Sequence, residues 1–361
     1  MQELIESVGQ LSAKQRKALA VLLKQKGVNL FDIAPVFKRT AEEPLLLSYA
    51  QQRQWFLWQL DPHSAAYHIS LALRLRGALD TAALERAFST LVARHEPLRT
   101  RFIEQDGQAL QVIEPTGTLQ LTHAHLRLEG SAQQQDAQVR TCVEQEVTHL
   151  FDLQHGPLLR VKRVQLAPDD HLLILTQHHI VSDGWSMQLM VEELIQLYGG
   201  YSQSRAVELP ALPIQYADYA LWQRQWMESG ERERQLAYWT AQLGGEQAVI
   251  ALPTDHPRPP VQSYRGAQLT LQVPVELCQA LKALAQAQDV SLFMVLLASF
   301  QALLHRYSGQ ADIRVGVPNA NRNRVETERL IGFFVNTQVL RAELSPQQSF
   351  RALLAQVRQR A

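Results

Sequence analysis

The sequence predicts an α/β protein built from two similar lobes that join near residue 210. The chain has 361 residues, which is more than one small hydrophobic core usually organises. Strand-like and helix-like patterns alternate along it, and their order in the second half loosely repeats the first. A proline-bounded linker, ELPALP at 208–213, lies between the halves. These observations predict the fold class and the division of the chain.

The composition narrows the function classes. The chain carries 35 basic and 35 acidic residues, so it shows no electrostatic footprint for nucleic acid. No apolar run approaches the length of a membrane span, and the first ten residues lack the features of a signal peptide. Cys142 and Cys278 stand far apart in helix-like contexts, which favours free thiols over a disulfide. We therefore expect a soluble cytoplasmic protein without nucleic-acid or membrane partners.

Residues 1–43 are expected to form an amphipathic helix followed by a linker. Ser12 and Gln15 have the spacing of a capping box, and the leucines that follow form one apolar stripe. Apolar periodicity then disappears between 34 and 43. The basic side of this helix is either a solvated face or a docking element for a preceding protein.

Residues 44–210 are expected to form the first lobe. The patterns predict an aromatic-rich core helix at 45–60, a strand at 69–75, a helix that begins at Asp80, and a hairpin of strands 161–165 and 172–176. The helix from Asp80 runs into RHEPLRTRF, in which Arg94 and Arg99 flank a proline. His123 and His125 suit one face of a strand, and no cluster of other metal-ligating residues accompanies them in the sequence.

The predicted hairpin ends at QHHIVSDGWS, residues 177–186, around which the rest of the chain is organised. Consecutive strand residues point to opposite faces, so His178 and His179 cannot share a role. Asp183 is placed to cap the next helix or to pair with a cation, for which Arg94 and Arg99 are the candidates. Gly184 permits a tight turn and exposes a peptide N–H.

The helix after this motif should end at the glycine pair 199–200, and residues 211–361 should form the second lobe. The patterns predict helices at 216–226, 232–243, 276–287 and 291–307, strands at 267–273 and 313–317, and a polar loop PNANRNR before IGFFVNTQVLR.

Five ordered motifs give the sequence a family resemblance. They are SYAQQRQWFL at 48–57, RHEPLRTRF at 94–102, HHIVSDG at 178–184, YADYALW at 216–222 and IGFFVNTQVLR at 331–341. In this order they resemble the motifs of the condensation domains of nonribosomal peptide synthetases. A lone HHxxxDG would be a weak signal, because such a pattern arises easily by chance.

The resemblance implies an α+β two-layer sandwich repeated as two chloramphenicol-acetyltransferase-like lobes in a V-shaped pseudodimer, with a tunnel between them. Donor and acceptor peptidyl carrier proteins would bring substrates on phosphopantetheine arms, and the domain itself would bind no cofactor and no metal. The acceptor's α-amine would attack the donor thioester to form an amide. A following adenylation domain is also implied.

The resemblance also implies roles for particular residues. His179 would accept the amine proton or position the amine by a hydrogen bond, whereas His178 would be structural. Asp183 would be an orienting residue tied to Arg99 or Arg94, and the Gly184 N–H would donate to the oxyanion. The remaining candidates are Ser186 and Asn336 as substrate contacts and Trp222 as a packing residue.

The sequence stops inside a helical pattern at Ala361, whereas the resembled family continues with two more motifs. We therefore expect a fragment whose second lobe is incomplete, and which is less soluble and less active than a longer version. Alternative functions are an epimerisation domain, a stand-alone acyltransferase and a non-catalytic docking platform for carriers or tailoring enzymes. A heterocyclising domain would carry aspartates in place of both histidines, so the sequence argues against that alternative.

Overall fold

The computed structural model describes residues 8, 11–116, 119, 121–245, 249–262, 264 and 266–360. The strands are β1 (His68–Arg76), β2 (Thr100–Gln105), β3 (Gln108–Ile113), β4 (Thr122–His125), β5 (Leu159–Ala167), β6 (Asp170–His178), β7 (Asp312–Asn319) and β8 (Asn336–Glu343). The α-helices are α1 (Ala13–Lys24), α2 (Leu30–Ile33), α3 (Tyr49–Leu60), α4 (Thr81–Arg94), α5 (Ala132–Thr148), α6 (Gly184–Tyr201), α7 (Tyr216–Trp226), α8 (Arg232–Leu243), α9 (Val275–Ala287), α10 (Leu292–Ser308) and α11 (Phe350–Arg360). This mixture confirms the expected α/β class.

The chain divides into two compact units. The first consists of Met1–Arg234 and Ala320–Val335, and the second of Gln235–Asn319 and Asn336–Ala361. The boundary therefore differs from the one expected near residue 210, because α7 packs into the core of the first unit. Residues 320–335, which we call the return segment, leave the second unit and belong to the first.

A four-stranded sheet in the first unit has the order β1-β6-β5-β4. β6 is antiparallel to both β1 and β5, and β4 runs parallel to β5. Because β6 is central, its side chains from His171 to His178 are all buried. Its apolar sequence HLLILT is what a strand covered on both faces requires.

α4 and α6 cover one face of this sheet. Their buried side chains include Phe88 and Leu91 of α4 and Met190 and Leu197 of α6, which form one core with Leu173 and Leu175 of β6. Asp80 caps α4 as expected by accepting the N–H of Ala83. The core therefore fixes α6, and the motif at its N-terminus, against the end of β6.

The glycine pair 199–200 does not end α6, which continues to Tyr201. A Cβ on Gly200 would lie 2.0 Å from Cγ2 of Val207. Gly200 therefore permits close approach of the following chain, and the expected C-terminal cap was wrong at this position.

The N-terminal segment packs on the first unit. Ser12 and Gln15 form the expected capping box of α1. Val8, Ala20 and Phe31 join the core that contains α7. Residues 1–7, 9 and 10, which begin the segment expected at 1–43, lie outside the described residues.

The second unit packs α9, α10 and α11 against the antiparallel pair of β7 and β8, with Val295, Ala298, Ile313 and Leu353 buried. The expected strand at 267–273 is not formed, because this segment has no ladder partner among the described residues. Of the helices described, none is long and apolar enough on its own to cross a membrane, although α9 and α10 pass that test as a pair bent by 103°.

Candidate active site

The candidate site lies where β6 ends and α6 begins. His178 is the last residue of β6, and His179 opens a 3₁₀ turn that extends to Val181. Asp183 is the N-cap of α6 and accepts the N–H of Ser186 at 2.8 Å. The motif therefore joins a buried strand to a helix N-terminus, as the sequence predicted.

His178 has the environment of a structural residue. Its side chain is 3% exposed, and its Nδ1 accepts the N–H of Ile180 at 3.1 Å. Burial, with smaller contributions from His68 and His179, lowers the pKa of His178 to about 3. A neutral ring whose Nδ1 is an acceptor carries its proton on Nε2. His178 is therefore neutral near pH 7 and shapes the turn.

His179 is oriented differently. It is partly buried, and its Nδ1 lies 2.7 Å from the carbonyl oxygen of Ser182. A carbonyl can only accept, so Nδ1 carries the proton and the neutral ring keeps a lone pair on Nε2. Among the described residues, nothing hydrogen-bonds Nε2. The turn thus fixes the tautomer that a proton acceptor needs.

The ring of Phe333 packs against the His179 ring with centroids 4.6 Å apart. Phe333 belongs to the return segment, and the hydroxyl of buried Tyr216 donates to its carbonyl at 2.5 Å. The neighbouring Gly332 lies against the Tyr216 ring, where a Cβ would come within 1.9 Å of Cδ2. Glycine is therefore required at 332 if Phe333 is to reach His179.

Asp183 is fully buried and pairs with Arg322 of the return segment. The Arg322 Nη2 lies 3.2 Å from the Asp183 Oδ1, while the N–H of Phe334 donates to Oδ2 at 3.1 Å. Arg322 also donates to the carbonyls of Thr327 and Leu330. Both proposed roles of Asp183, helix cap and partner of a cation, are therefore present.

The expected cations, Arg94 and Arg99, do not hold Asp183, and that prediction was wrong. Arg94 pairs with Glu193 at 3.2 Å and donates to the carbonyl of Pro210. Arg99 donates to the carbonyl of Glu114. Both guanidiniums are therefore bonded to groups other than the Asp183 carboxylate.

The Glu193 carboxylate that Arg94 contacts is buried beside His95, whose Nε2 lies 2.8 Å away. Burial alone would raise the pKa of Glu193, but the hydrogen bond from His95 and the charge of Arg94 lower it overall. Burial lowers the pKa of His95. This cluster joins α4 to α6 beneath the motif and has a structural role.

Ser186 was expected to contact substrate, and the structure contradicts this. Its side chain is fully buried, and its hydroxyl donates to the carbonyl of Gly332 at 2.9 Å. The same oxygen lies 3.0 Å from the Gly332 N–H and 2.8 Å from the Arg322 Nη2, both of which donate to it. Ser186 therefore fastens the return segment to α6.

The other candidates fall in three environments. Gly184 is exposed at the start of α6, where a Cβ would meet nothing within 4 Å. Trp222 is buried on α7, its ring stacks on that of Trp226 with centroids 5.3 Å apart, and the Arg324 guanidinium lies over it. Asn336 is exposed at the start of β8 in the second unit.

Sequence reasoning missed three residues that shape the site, namely Arg322, Phe333 and Tyr216. All three occur in stretches that were singled out, the polar loop and two of the motifs, but their partners are distant. Arg322 and Asp183 are 139 positions apart, so no local pattern indicates that they pair. One sequence signal could have indicated Arg322 as a candidate, namely the two arginines in the short polar loop PNANRNR that precedes an apolar run.

We predict that His178 makes folding stability depend on pH. The folded pKa is about 3 and the ordinary value 6.5, so below pH 6.5 only the unfolded chain gains this proton. Stability should therefore fall as pH drops from 6.5 towards 3, by up to about 1.4 kcal/mol per pH unit. Burial also lowers the pKa values of His68 and His95, so both residues add to the fall in stability as the pH drops.

The comparison of wild type with His178→Asn isolates this contribution. Asparagine keeps an acceptor for the Ile180 N–H and cannot gain a proton, so its unfolding free energy should change less between pH 6.5 and 5. Chemical denaturation across this range measures the difference. Equal slopes for both proteins would show that folding does not lower the pKa of His178.

Comparison with known proteins identifies the family. The family model described as Condensation domain matches residues 41–361. One of the subunits of linear gramicidin synthase from Brevibacillus parabrevis is 47% identical over 327 residues, a match that covers 91% of this chain and 4% of that protein. The chain therefore spans a small part of this curated relative.

Two solved structures share the fold. The X-domain from teicoplanin biosynthesis is 29% identical with a TM-score of 0.79, over 90% of this chain and 71% of that one. The first condensation domain of the CDA synthetase is 26% identical with a TM-score of 0.72, over 88% of this chain and 75% of that one.

Proposed function

Because this chain belongs to the condensation-domain family of nonribosomal peptide synthetases, we propose that it forms amide bonds. The donor acyl or peptidyl group passes from the thioester of an upstream carrier protein to the α-amine of an aminoacyl thioester on a downstream carrier. The products are a longer chain on the acceptor carrier and a free thiol on the donor carrier.

The observation that carries this proposal is the orientation of His179. Its Nδ1–H is held by the Ser182 carbonyl at 2.7 Å, and its Nε2 lone pair is unoccupied among the described residues. Such a ring can take one proton from an amine, or hold the amine by a hydrogen bond. A fixed tautomer matters because the other one would present a donor to an amine that must remain a nucleophile.

In the proposed reaction the amine nitrogen attacks the thioester carbonyl carbon, and the C=O electrons move to oxygen. His179 Nε2 takes a proton from the attacking nitrogen. The C–S bond then breaks as the C=O bond re-forms, and the departing sulfur takes up the proton. No redox change occurs, and atoms and charge balance without a further reactant.

The N-terminus of α6 is suited to stabilise the oxygen that becomes negative in this reaction. Gly184 is the first residue of α6, so its N–H has no partner within the helix. The helix dipole adds a partial positive charge there. Asp183 is bonded to Arg322 and two backbone N–H groups, so we assign it to positioning this turn rather than to proton transfer.

Substrates would arrive on phosphopantetheine arms of the carriers, and the domain itself would bind no cofactor. A following adenylation domain would select the acceptor. We retain Asn336 as the candidate that orients the acceptor amine and Trp222 as a packing residue.

A transfer assay with two loaded carriers tests the proposal. After mixing with this chain, mass spectrometry should detect the donor acyl group as an amide on the acceptor carrier. Inversion of the donor residue without transfer would instead indicate an epimerisation domain. If neither product forms, amide formation is refuted for this chain.

We predict that Gly184→Ala lowers amide formation without lowering stability. The structure has room for the added methyl group, and alanine favours a helix over glycine by up to about 1 kcal/mol. A loss of activity would therefore reflect crowding of bound substrate. Unchanged activity with both loaded carriers would show that substrate does not approach Gly184.

A second candidate function is a docking platform. The X-domain that shares this fold has also been solved as a complex with OxyB. A platform has no need of an oriented proton acceptor, whereas His179 is held as one by Ser182. A platform would bind a partner equally well with or without the His179 side chain.

A further inference from the structure

A cleft of about 520 Å³ lies in the first unit. It is lined by the end of the 3₁₀ turn Glu96–Arg99, the start of β2, and residues 155–161 that lead into β5. The described residues that line it include none from 177–186. The volume falls in the range of about 300–1,000 Å³ typical of small-molecule sites.

The floor of this cleft is apolar. Leu98, Leu158 and Leu159 line it and are at most 3% exposed. Val92 and Val161 also line it. These side chains belong to the cores beneath the cleft, so the floor is rigid and would favour an apolar body of similar width.

The rim is positively charged. Arg99, Arg101 and Arg160 line the cleft, and Glu114 is the one carboxylate among the described lining residues. His155 also lines it, with its Nδ1 2.8 Å from the Asp152 Oδ2. Arg101 and Arg160 each have a carboxylate partner, so the uncompensated positive charge at the rim is that of Arg99, and it favours an anion.

Arg99 differs from the other two arginines. Arg101 pairs with Glu114 at 2.6 Å, and Arg160 pairs with Glu146 at 3.1 Å. Arg99 has no carboxylate within ion-pair distance among the described residues, and there its guanidinium donates only to the Glu114 carbonyl. Its Nε is buried, and no acceptor for it occurs in the part of the chain that the structure describes. The side chain as a whole is partly exposed, so the guanidinium can reach a ligand in the cleft, and an anion there would supply the acceptor that Nε lacks.

We propose that this cleft binds an anionic amphiphile, a carboxylate carried on an apolar body. The carboxylate accepts from the Arg99 guanidinium, since arginine matches the planar geometry of carboxylates. The apolar body lies on the leucine floor. None of its described lining residues belongs to the motif at 177–186, so this proposal does not depend on the proposed amide chemistry.

Decanoate is a suitable probe, and isothermal titration calorimetry measures its binding to the whole chain. We expect binding by wild type and much weaker binding of butyrate, which lacks the apolar body. Decyltrimethylammonium has a similar tail and the opposite charge, so it should bind weakly as well. If decyltrimethylammonium or decanol binds as tightly as decanoate, the assigned role of Arg99 is wrong.

Two independent variants locate the site. Arg99→Gln should weaken decanoate binding tenfold or more, which corresponds to about 1.4 kcal/mol. Thr122→Trp fills the cleft from an exposed position and should abolish binding without disturbing the core. Thermal unfolding of each variant verifies that it is folded.

Matched controls distinguish this cleft from the place where His179 would meet the acyl substrate, which we call the acyl site. Arg74→Gln removes a guanidinium that pairs with Asp170 on the surface, and it should leave decanoate binding unchanged. His179→Ala should also leave it unchanged. Binding that survives Thr122→Trp but is lost in His179→Ala would place the ligand at the acyl site and overturn the proposal.

Discussion

Replacing His179 with alanine should lower the rate of amide formation by about 10²- to 10⁴-fold, the usual contribution of a positioned acid–base group. The ring is partly buried and contacts Phe333 and the Ser182 carbonyl, so its removal leaves the buried strand and the helix cap in place. The rate of acyl transfer between two loaded carriers, measured under single-turnover conditions, is the readout.

His179→Gln separates the two roles that remain open for this ring. Glutamine can accept a hydrogen bond from the amine but cannot take its proton at neutral pH. A rate near that of wild type would indicate positioning, and a rate near that of alanine would indicate proton transfer. His178→Asn is the matched control, and it should retain most activity because His178 supports the turn from the buried side. A wild-type rate for His179→Ala would exclude any chemical role for this residue.

Replacing Arg322 with methionine should destabilise the first unit by about 3–5 kcal/mol. The change leaves the fully buried Asp183 carboxylate without its cation, and breaking one side of a buried pair has a cost of this size. It also removes donors to two carbonyls of the return segment, those of Thr327 and Leu330. Chemical denaturation followed by tryptophan fluorescence measures the loss.

Arg74→Met is the matched control for this prediction. Its pair with Asp170 is exposed by 42% and 22%, so its loss should cost about 1 kcal/mol or less. Arg322→Lys keeps the positive charge but loses the planar guanidinium. Its free energy of unfolding should therefore lie between those of wild type and Arg322→Met. If Arg322→Met unfolds at the same denaturant concentration as wild type, the Asp183 carboxylate does not depend on this cation.

The sequence predicted the parts of the site that local patterns determine. β6 is a largely apolar run that ends at the histidine pair, and Asp183 has the position of an N-cap. The two histidines were also expected to differ in role, and they do, although the reason is that His178 ends the strand and His179 opens the turn. Each of these predictions needs only residues within one turn or one strand. The order of the five motifs likewise indicated the family.

Partners that are far apart in the chain could not be predicted in this way. Arg94 and Arg99 were reasonable candidates for the cation, since they lie in a motif near a helix end. The structure instead places Arg322 beside Asp183, because the return segment leaves the second unit and packs on the first. Ser186 was misassigned for the same reason, since its hydroxyl binds Gly332, 146 positions away.

The sequence by itself therefore determined the α/β class, the strand that leads to the two histidines, the helix that Asp183 caps, and the family. Only the tertiary structure decided which cation neutralises Asp183, which ring packs on His179, and which hydroxyl is unavailable to substrate. The physical reason is the distance along the chain over which each kind of interaction acts. Backbone periodicity and capping act over a few residues, whereas a buried charge takes whichever partner the folded chain brings to it.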